Sequence, residues 1–546
     1  MRAGQGVGGI GLALMLCGAL AACGGGGGSG GGGTGSSSSS SSGGPVFTSG
    51  VYAPASTYVN QCQTPRTGTD PYSHVAYPDR AGSTLLENYW LRSWNNDLYL
   101  WYSEVTDVNP AAYSNTLDYF AQLKTFATTA SGADKDKFHF TYPTAEWESL
   151  SNSGVDVGYG ISWVLISSTP PREARAALVE PGTTAASDGV SRGDEVVSVD
   201  GVGINDNTSA GIDTLNEGLF PTVAGTAHTI VLQPVGGGAN YSVTLTPAAI
   251  ATSSVYQPIA ISTGTGAVGY LLFNDHLAPA EQEFATAIAT LKADNVTDLV
   301  LDMRYNGGGY LDIASEAAYM IAGPANTAGK NFETTVFNDK HPTVDPVTGQ
   351  TITPTPFITT AEGFSETQGT ALPYLGLSRV FVLTGPDTCS ASESVINGLR
   401  GAGVTVIQIG STTCGKPYGF YPQDNCGTTY FSIQFQGVNN AGFGDYPDGF
   451  APANQTPSNV GYHIPGCSVA DDFTHQLGDV AEARLAAALA YRASGATGTC
   501  PAATGVSGRA SILSTTAGAG SDAAHEDGRL VRSPLREIRI LGKPRT

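Results

Sequence analysis

The chain has 546 residues, of which 71 are glycine and 31 are proline, and 41% of them are hydrophobic. At roughly 100 to 200 residues per domain, this length predicts about three folded units. The 47 acidic and 26 basic side chains give a net charge of −21. This charge would repel a phosphate backbone, so it excludes nucleic acid as a partner.

The N-terminus has the features of an export signal. After Met1-Arg2, an apolar run from Val7 to Ala22 is short for a membrane span but typical of a signal peptide, which we predict over residues 1–22. The run ends at a small-residue approach to Cys23 that resembles a bacterial lipobox, in which this cysteine would carry the lipid anchor. The alternative is an ordinary secretory signal with an incidental cysteine. We therefore expect an exported bacterial lipoprotein of the cell envelope, held to a membrane.

Low-complexity segments flank the predicted folded part. Residues 24–44 are glycine, serine and one threonine, so residues 23–44 should act as a flexible tether behind the lipidated cysteine. Residues 496–546 are predicted to be a low-complexity, basic C-terminal tail, and residues 528–546 carry six basic side chains against one acid. Such a tail either docks on the acidic body or an anionic partner, or stays solvated.

Six cysteines remain once Cys17 leaves with the signal and Cys23 takes the lipid: Cys62, Cys389, Cys414, Cys426, Cys467 and Cys500. An exported chain meets an oxidising compartment, so we expect disulfides, although fifteen full pairings are possible. No Cys-x-x-Cys or His-x-x-x-His spacing is present, and we predict neither a metal nor a cofactor.

Periodicity predicts a helical N-terminal domain over residues 45–150. Apolar side chains recur every three or four positions from Thr84 to Val105, which indicates an amphipathic helix capped by Ser83 or Thr84. Tryptophans in such a stripe are more often core than binding groove.

Residues 154–250 resemble a PDZ domain. The resemblance depends on Gly158-Tyr159-Gly160-Ile161, then a Pro-Gly turn at 181–182, then Gly-Asp-Glu at 193–195 before a strand and a tight turn. In PDZ domains the first of these loops offers N–H groups to a peptide C-terminal carboxylate, and the peptide adds as a strand. The resemblance therefore implies peptide binding at Gly158, Tyr159, Gly160 and Ile161.

From residue 251 to 495 strands alternate with helices, which predicts an α/β core. Arg304-Tyr305-Asn306 and three glycines, Gly307 to Gly309, follow a buried strand. These glycines free the backbone to aim N–H groups at a developing oxyanion. A phosphate-binding turn is disfavoured, because no Lys-Ser/Thr pair follows the glycines.

Two further motifs supply a nucleophile and a base. Ser390 falls between the strand Arg379 to Leu383 and a helix, where the helix dipole favours an alkoxide, although most serines there are only helix caps. Lys416 lies between a glycine and a proline. If it is buried, desolvation lowers its pKa, to roughly 7 to 8, and the neutral amine accepts the serine proton. A solvated surface lysine is the alternative.

Together, the glycine turn, Ser-Ala-Ser-Glu at 390–393 and Gly-Lys at 415–416 resemble the C-terminal processing peptidases, or tail-specific proteases. The resemblance covers roughly residues 154–490 and implies a crotonase-like core. It implies Ser390 as nucleophile, with Ser392 as the competing assignment, and Lys416 as general base. The oxyanion hole would be the N–H of Gly307 or Gly308 with that of Ala391.

The sequence departs from that family at two points. The family often places an orienting glutamine four residues after the lysine, where this chain has Phe420, and Gln423 is the nearest substitute. Cys389, Cys414 and Cys426 flank the catalytic motifs, which suggests a disulfide that braces the site.

These observations predict a multidomain α/β protein: an exported serine endopeptidase with a Ser/Lys acyl-enzyme mechanism, acting on protein or peptide substrates. The PDZ-like domain would either recruit chain ends or gate the site. The alternative is a non-catalytic envelope scaffold that binds peptide C-termini. An acyl-CoA enzyme of the crotonase type would need neither an export signal nor the PDZ-like domain. No oligomeric state follows from the sequence.

Overall fold

The computed structural model describes residues 44–221, 223–256, 258–495, 498–504 and 539–540. Contacts divide the chain into two units, Met1–Val46 and Phe47–Thr546. The predicted signal peptide, Cys23, nearly all of the tether and most of the basic tail lie outside the described residues. Among the residues that are described, no helix combines the length and the apolar character needed to cross a membrane.

The N-terminal region, residues 47–153, contains three helices and three short strands. In chain order they are β1 (Gln61–Cys62), β2 (Arg80–Ala81), α1 (Thr84–Leu98), α2 (Thr116–Phe120), β3 (Phe140–Pro143) and α3 (Thr144–Ser153). Ser83 caps α1 by accepting a hydrogen bond from the Leu86 N–H at 3.3 Å. The helix ends at Leu98, short of the predicted Val105, because Tyr99 adopts an extended conformation.

The middle region, residues 154–251, is mostly β structure. Its elements are β4 (Val155–Gly158), β5 (Ile161–Ser167), β6 (Glu173–Val179), α4 (Thr184–Ser187), β7 (Glu195–Val199), β8 (Val202–Gly203), α5 (Ser209–Leu219), β9 (His228–Gln233), β10 (Tyr241–Leu245) and β11 (Ala248–Ala251). An antiparallel sheet has the order β10-β9-β7-β6-β5, with β8 paired to β7, and β4 pairs with β11. Strand β5 therefore forms an edge of this sheet.

The core region, residues 252–495, alternates strands and helices as predicted. Its elements are β12 (Ile259–Thr263), β13 (Gly266–Leu272), α6 (Ala280–Ala293), β14 (Asp298–Asp302), β15 (Gly309–Tyr310), α7 (Leu311–Thr327), β16 (Asn331–Phe337), β17 (Thr355–Pro356), β18 (Arg379–Thr384), α8 (Ala391–Gly401), β19 (Thr405–Gly410), β20 (Tyr418–Gly419), β21 (Gln423–Asn425), β22 (Thr428–Phe431), β23 (Phe435–Val438), β24 (Phe450–Pro452), β25 (Tyr462–Ile464), β26 (Gly466–Ser468) and α9 (Ala483–Ala493).

The central sheet of the core region has the order β12-β13-β14-β18-β19-β26. The first pair is antiparallel and the other pairs are parallel. Both faces are covered: Leu299 and Leu301 belong to the apolar cluster that contains α6, α7 and α8, whereas Val300 belongs to the cluster that contains α9. Because β14 is buried on both faces, its central residues are all apolar and do not alternate with polar ones.

Two pairings join distant parts of the chain to the core region. Strand β3 of the N-terminal region pairs antiparallel with β22, so this region does not stand apart as a separate helical domain. At the other end, β27 (Arg539–Ile540) pairs in parallel with β15. The described parts of the predicted tail are residues 498–504 and 539–540. The first part is also tied to the core region, because Cys500 bonds Cys467 and the Thr504 N–H donates to the Ser468 carbonyl at 3.2 Å.

All six predicted disulfide cysteines are paired. The bonds are Cys62–Cys426, Cys389–Cys414 and Cys467–Cys500, with Cα–Cα distances of 5.2 to 5.3 Å. The first joins the N-terminal region to the core region, and the second lies between the two predicted catalytic motifs.

Candidate active site

The three predicted catalytic motifs follow three neighbouring parallel strands. The glycine turn follows β14, the serine motif follows β18, and the lysine motif follows β19. Because β18 pairs with both β14 and β19, the carboxyl ends of all three strands meet at one edge of the sheet. This is where open α/β sheets usually place their sites. Segments more than a hundred residues apart are thereby brought together.

Asn306 fixes the glycine turn. Its side-chain nitrogen donates to the Phe273 carbonyl at 2.9 Å, and its side-chain oxygen accepts the Gly308 N–H at 2.9 Å. The N–H of Gly308 is therefore already used within the turn, which leaves Gly307 as the better oxyanion donor of the two predicted glycines. Gly309 has a φ of 143°, and a Cβ there would lie 2.4 Å from the His276 carbonyl oxygen, so only glycine fits.

His276 supports the same turn from β13's side of the sheet. Its Nδ1 lies 3.1 Å from the Asn306 side-chain oxygen, and its backbone N–H donates to the Gly308 carbonyl at 2.9 Å. Complete burial lowers the pKa of His276 to about 3. The imidazole is therefore neutral near pH 7 and serves the turn as a hydrogen-bonding group.

Ser390 and Ser392 occupy different environments. Ser390 is the N-cap of α8 with φ 61° and ψ −114°, a backbone conformation that L-residues seldom adopt outside functional sites. Its hydroxyl is fully buried and has no hydrogen-bond partner among the described residues. The Ser392 hydroxyl donates to the Asn306 carbonyl at 3.0 Å. Ser392 thus has a structural bond, whereas the Ser390 hydroxyl is available for chemistry.

Glu393 ties the serine motif to the lysine motif. Its carboxylate accepts the backbone N–H groups of Ser390 at 3.0 Å, Gly415 at 3.0 Å and Lys416 at 2.8 Å. The Thr413 hydroxyl also donates to it. Burial raises the pKa of Glu393, and these donors oppose that rise. One buried side chain therefore fixes both catalytic loops.

Lys416 is buried, with no exposed surface. Its Nζ lies 4.6 Å from the ring centroid of Phe138 and 4.5 Å from that of Phe420. Gln423, the predicted substitute for an orienting glutamine, begins β21, and its side-chain nitrogen donates to the Asp424 carbonyl at 3.1 Å. Two aromatic rings therefore lie against the amine. Phe138 lies in the N-terminal region, and no motif in the sequence indicated it.

The disulfide Cys389–Cys414 joins the residue before Ser390 to the residue two before Lys416. Both cysteines are buried. With Glu393 they come close enough to suggest a metal site. Because the two sulfur atoms are bonded to each other, however, they are not available as thiolate ligands.

A buried charge network lies behind the glycine turn. Arg304 binds Asp302, Glu482 and Asp471 at 2.7 to 2.9 Å. Asp471 also accepts from Arg192 of the middle region, at 2.8 Å. Burial alone would raise the pKa of Asp471, but the neighbouring arginines hold it well below the usual range. This carboxylate therefore connects the middle region to the turn.

The predicted peptide-binding loop lines a cavity of about 310 Å³. Its walls are the loop Gly158–Ile161, β5 residues, the end of α5 at Leu219, and α3 of the N-terminal region. The Tyr159 hydroxyl donates to the Gly218 carbonyl at 3.1 Å, which anchors the loop to α5. A Cβ at Gly160, where φ is 75°, would meet Thr183 at 2.5 Å. The loop conformation therefore requires glycine at this position.

A second cavity of about 80 Å³ is lined by Gly307, Gly308 and Tyr305 together with middle-region residues. Neither of these two cavities is lined by Ser390 or Lys416. The structure brings the catalytic motifs together, and it places the predicted peptide-binding loop at a different site.

Comparisons with known proteins bear on this site. Residues 267–420, which include all three catalytic motifs, match the model of Peptidase family S41. No curated protein matches the sequence. An S41 protease candidate from Bacteroides fragilis NCTC 9343, known from its crystal structure, is 22% identical. That match covers 77% of this chain and 98% of the other, with a TM-score of 0.52.

Two more distant structures are also similar. The photosystem II D1 C-terminal processing protease is 17% identical, and the match covers 73% of this chain and 96% of the other with a TM-score of 0.41. Mature CPAF complexed with lactacystin is 13% identical, covering 66% and 91% with a TM-score of 0.36. The Bacteroides structure shows a shared fold.

Residues 267–420 therefore match peptidase family S41, whose members are serine-type proteases, and the Bacteroides structure shares the fold of this chain. The family match supports a peptidase function and agrees with the predicted resemblance to the C-terminal processing peptidases.

Proposed function

We propose that this chain is an exported serine endopeptidase in which Ser390 is the nucleophile and Lys416 is the general base. The observation that carries the proposal is the pairing of the two loops through Glu393, with the Ser390 hydroxyl free of other hydrogen bonds among the described residues. A buried lysine on a loop that is bonded to the serine loop favours proton transfer, because desolvation disfavours the ammonium.

In the proposed reaction, neutral Lys416 takes the proton from the Ser390 hydroxyl as its oxygen attacks the scissile carbonyl. The N–H groups of Gly307 and Ala391 hold the oxyanion that forms, and the dipole of α8 adds positive potential at Ser390. Lys416 then gives the proton to the leaving amine. In the second half of the reaction, Lys416 takes a proton from a water molecule as the water attacks the acyl-enzyme. Lys416 then returns the proton to Ser390 as the carboxylic acid product leaves.

We further propose that the middle region works as a PDZ-like domain. A peptide would pair with β5, since this strand lies at the edge of its sheet, and would end near the N–H groups of Gly158–Ile161. Glu146 and Asp156 also line this cavity, so a positively charged side chain near the peptide end should help binding. The contact between Arg192 and Asp471 supports a role of this domain in gating the active site. The open cavity supports a role in recruiting chain ends.

Export and anchoring are proposed on the sequence alone. Cys23 would carry the lipid and the Gly/Ser segment would hold the peptidase off the membrane. Metabolic labelling with a fatty acid should mark the wild-type chain and leave Cys23→Ser unlabelled. A labelled Cys23→Ser chain would refute this anchor.

One observation favours the scaffold alternative: Ser390 and Lys416 have no exposed surface. Casein hydrolysis decides between the two functions. We expect the wild type to hydrolyse casein, Ser390→Ala to be inactive, and the matched control Ser392→Ala to retain most activity. A purified, folded wild type that cleaves neither casein nor short peptides would support the scaffold.

A further inference from the structure

The amine of Lys416 lies between two aromatic rings that come from different parts of the chain. The Phe420 ring centroid is 4.5 Å from Nζ and the Phe138 centroid is 4.6 Å away. Phe420 is four residues after the lysine, whereas Phe138 lies in the N-terminal region, before the whole middle region. All three side chains are buried.

Each ring has a fixed position. Phe420 packs against Phe140 and Phe431, with centroids at 6.1 and 5.2 Å. Phe138 belongs to a buried cluster with Tyr99, Tyr418 and the disulfide Cys389–Cys414. The rings therefore cannot move away from the amine without disturbing two packed clusters.

The segment around Phe138 is bonded directly to the loop of the base. Lys137 donates to the Cys414 carbonyl at 2.8 Å. Asp136 accepts the Phe138 N–H at 3.0 Å and the Tyr99 hydroxyl at 2.5 Å. The N-terminal region thus supplies part of the wall around Lys416.

An aromatic face attracts an ammonium group, through the ring quadrupole, more strongly than it attracts a neutral amine. A buried lysine base needs such help once it has taken a proton, because burial disfavours the charged ammonium. A ring face near the amine supplies part of this stabilisation.

We propose that Phe138 and Phe420 are positioning residues for Lys416, which direct its amine toward Ser390 and stabilise the ammonium formed during catalysis. The N-terminal region is then a part of the active site. This inference rests on the proposed Ser/Lys mechanism.

Other charged and titratable groups also face this pocket. Glu393 accepts the Lys416 N–H, and Asp136, Lys137 and His139 adjoin Phe138 on the N-terminal segment. Tyr418 shares the Phe138 cluster, and the carboxylates that act on it are Asp445, Asp136, Asp448 and Glu104. They remain in place in every variant below, so a change in pH dependence between variants reports the rings.

The test uses methionine, which keeps the bulk of phenylalanine but lacks a ring face. We expect Phe138→Met and Phe420→Met to lower kcat toward a fluorogenic peptide roughly tenfold. The pH midpoint of kcat/KM should move down by roughly 0.5 to 1 unit, because loss of the ring destabilises the ammonium. The control is Phe284→Met, a buried ring of α6 that packs on Phe273 at 4.9 Å. It should lose comparable stability and keep the wild-type midpoint.

An active wild type whose midpoint is unchanged in both Phe138→Met and Phe420→Met would overturn this inference and leave the proposed function standing. A folded wild type with no activity would overturn both. If Phe138→Met fails to fold, Phe420→Met alone decides, since its midpoint can be compared with that of Phe284→Met.

Discussion

The cavity proposed to bind peptides in the middle region and the catalytic site proposed in the core region differ most in their access. The cavity of about 310 Å³ lies beside an edge strand and is shaped by backbone at Gly158–Ile161. Ser390 and Lys416, by contrast, are 0% exposed. The proposed binding step therefore depends on an open cavity, whereas the proposed chemical step depends on buried side chains. Variants in the first region should change KM, and variants in the second should change kcat.

The two regions still contact each other through buried charges. Arg192 donates to Asp471 at 2.8 Å and to the Tyr305 hydroxyl at 2.7 Å, and Tyr305 adjoins the glycine turn. A ligand that shifts the middle region would therefore also act on the turn that is proposed to hold the oxyanion.

The strongest test of the closed catalytic site is Lys416→Arg. We expect no turnover at any pH, because a guanidinium group stays protonated and cannot accept the serine proton. Wild-type activity should rise with pH as the amine loses its proton. Lys416→Met, which removes the charge from a buried position, serves as the folded control by circular dichroism. Substantial peptide hydrolysis by Lys416→Arg would refute a lysine base.

Removal of the disulfide beside the site should have the next largest effect. We expect Cys389→Ala/Cys414→Ala to lower kcat roughly tenfold to a hundredfold, since it loosens the serine loop from the lysine loop. The matched control is Cys467→Ala/Cys500→Ala. The loops closed are similar, 25 and 33 residues. Each pair should therefore cost a similar free energy of unfolding, about 2 to 4 kcal/mol. Equal kcat losses in the two double variants would show that the first disulfide only stabilises the fold.

The smallest expected effect is in the open cavity. A peptide with a free C-terminus should be cleaved faster than its amidated twin, by about tenfold or less and mainly through KM, because only the carboxylate can bond to the loop N–H groups. Gly160→Ala should shrink this difference, since a Cβ there meets Thr183 at 2.5 Å. Equal rates for both peptides in wild type and variant would exclude carboxylate capture.

Much of the sheet was predictable from residue patterns. The predicted strand Arg379 to Leu383 is β18, Arg379–Thr384, and the strand predicted before the glycine turn is β14, Asp298–Asp302. Both are apolar runs that are buried on two faces, which is a strong local signal. The helix predicted through Val105 ends at Leu98, where the backbone becomes extended at Tyr99. The prediction was too long because the apolar spacing continues as far as Trp101. Trp101 packs on Tyr418 instead, with centroids at 4.7 Å.

The positions of the three predicted catalytic motifs at strand ends were predictable, because each contains glycines or small residues after an apolar strand. The surroundings of the lysine were not. Phe138 contacts Lys416 only because β3 pairs with β22 and brings the N-terminal region against the core, a pairing for which the sequence has no local signal. The pairing of Cys389 with Cys414 was not predictable either, because it depends on which strand ends lie side by side in the sheet. Gln423 resembled a substitute only by its distance along the chain.

The most direct test of the account is to identify the serine that reacts with a fluorophosphonate. Purified wild type, Ser390→Ala and Ser392→Ala should be treated with the probe, digested and analysed by mass spectrometry. We predict one adduct on Ser390 in the wild type and in Ser392→Ala, and none in Ser390→Ala. An adduct on Ser392, or hydrolysis of peptides by Ser390→Ala, would contradict Ser390 as the nucleophile.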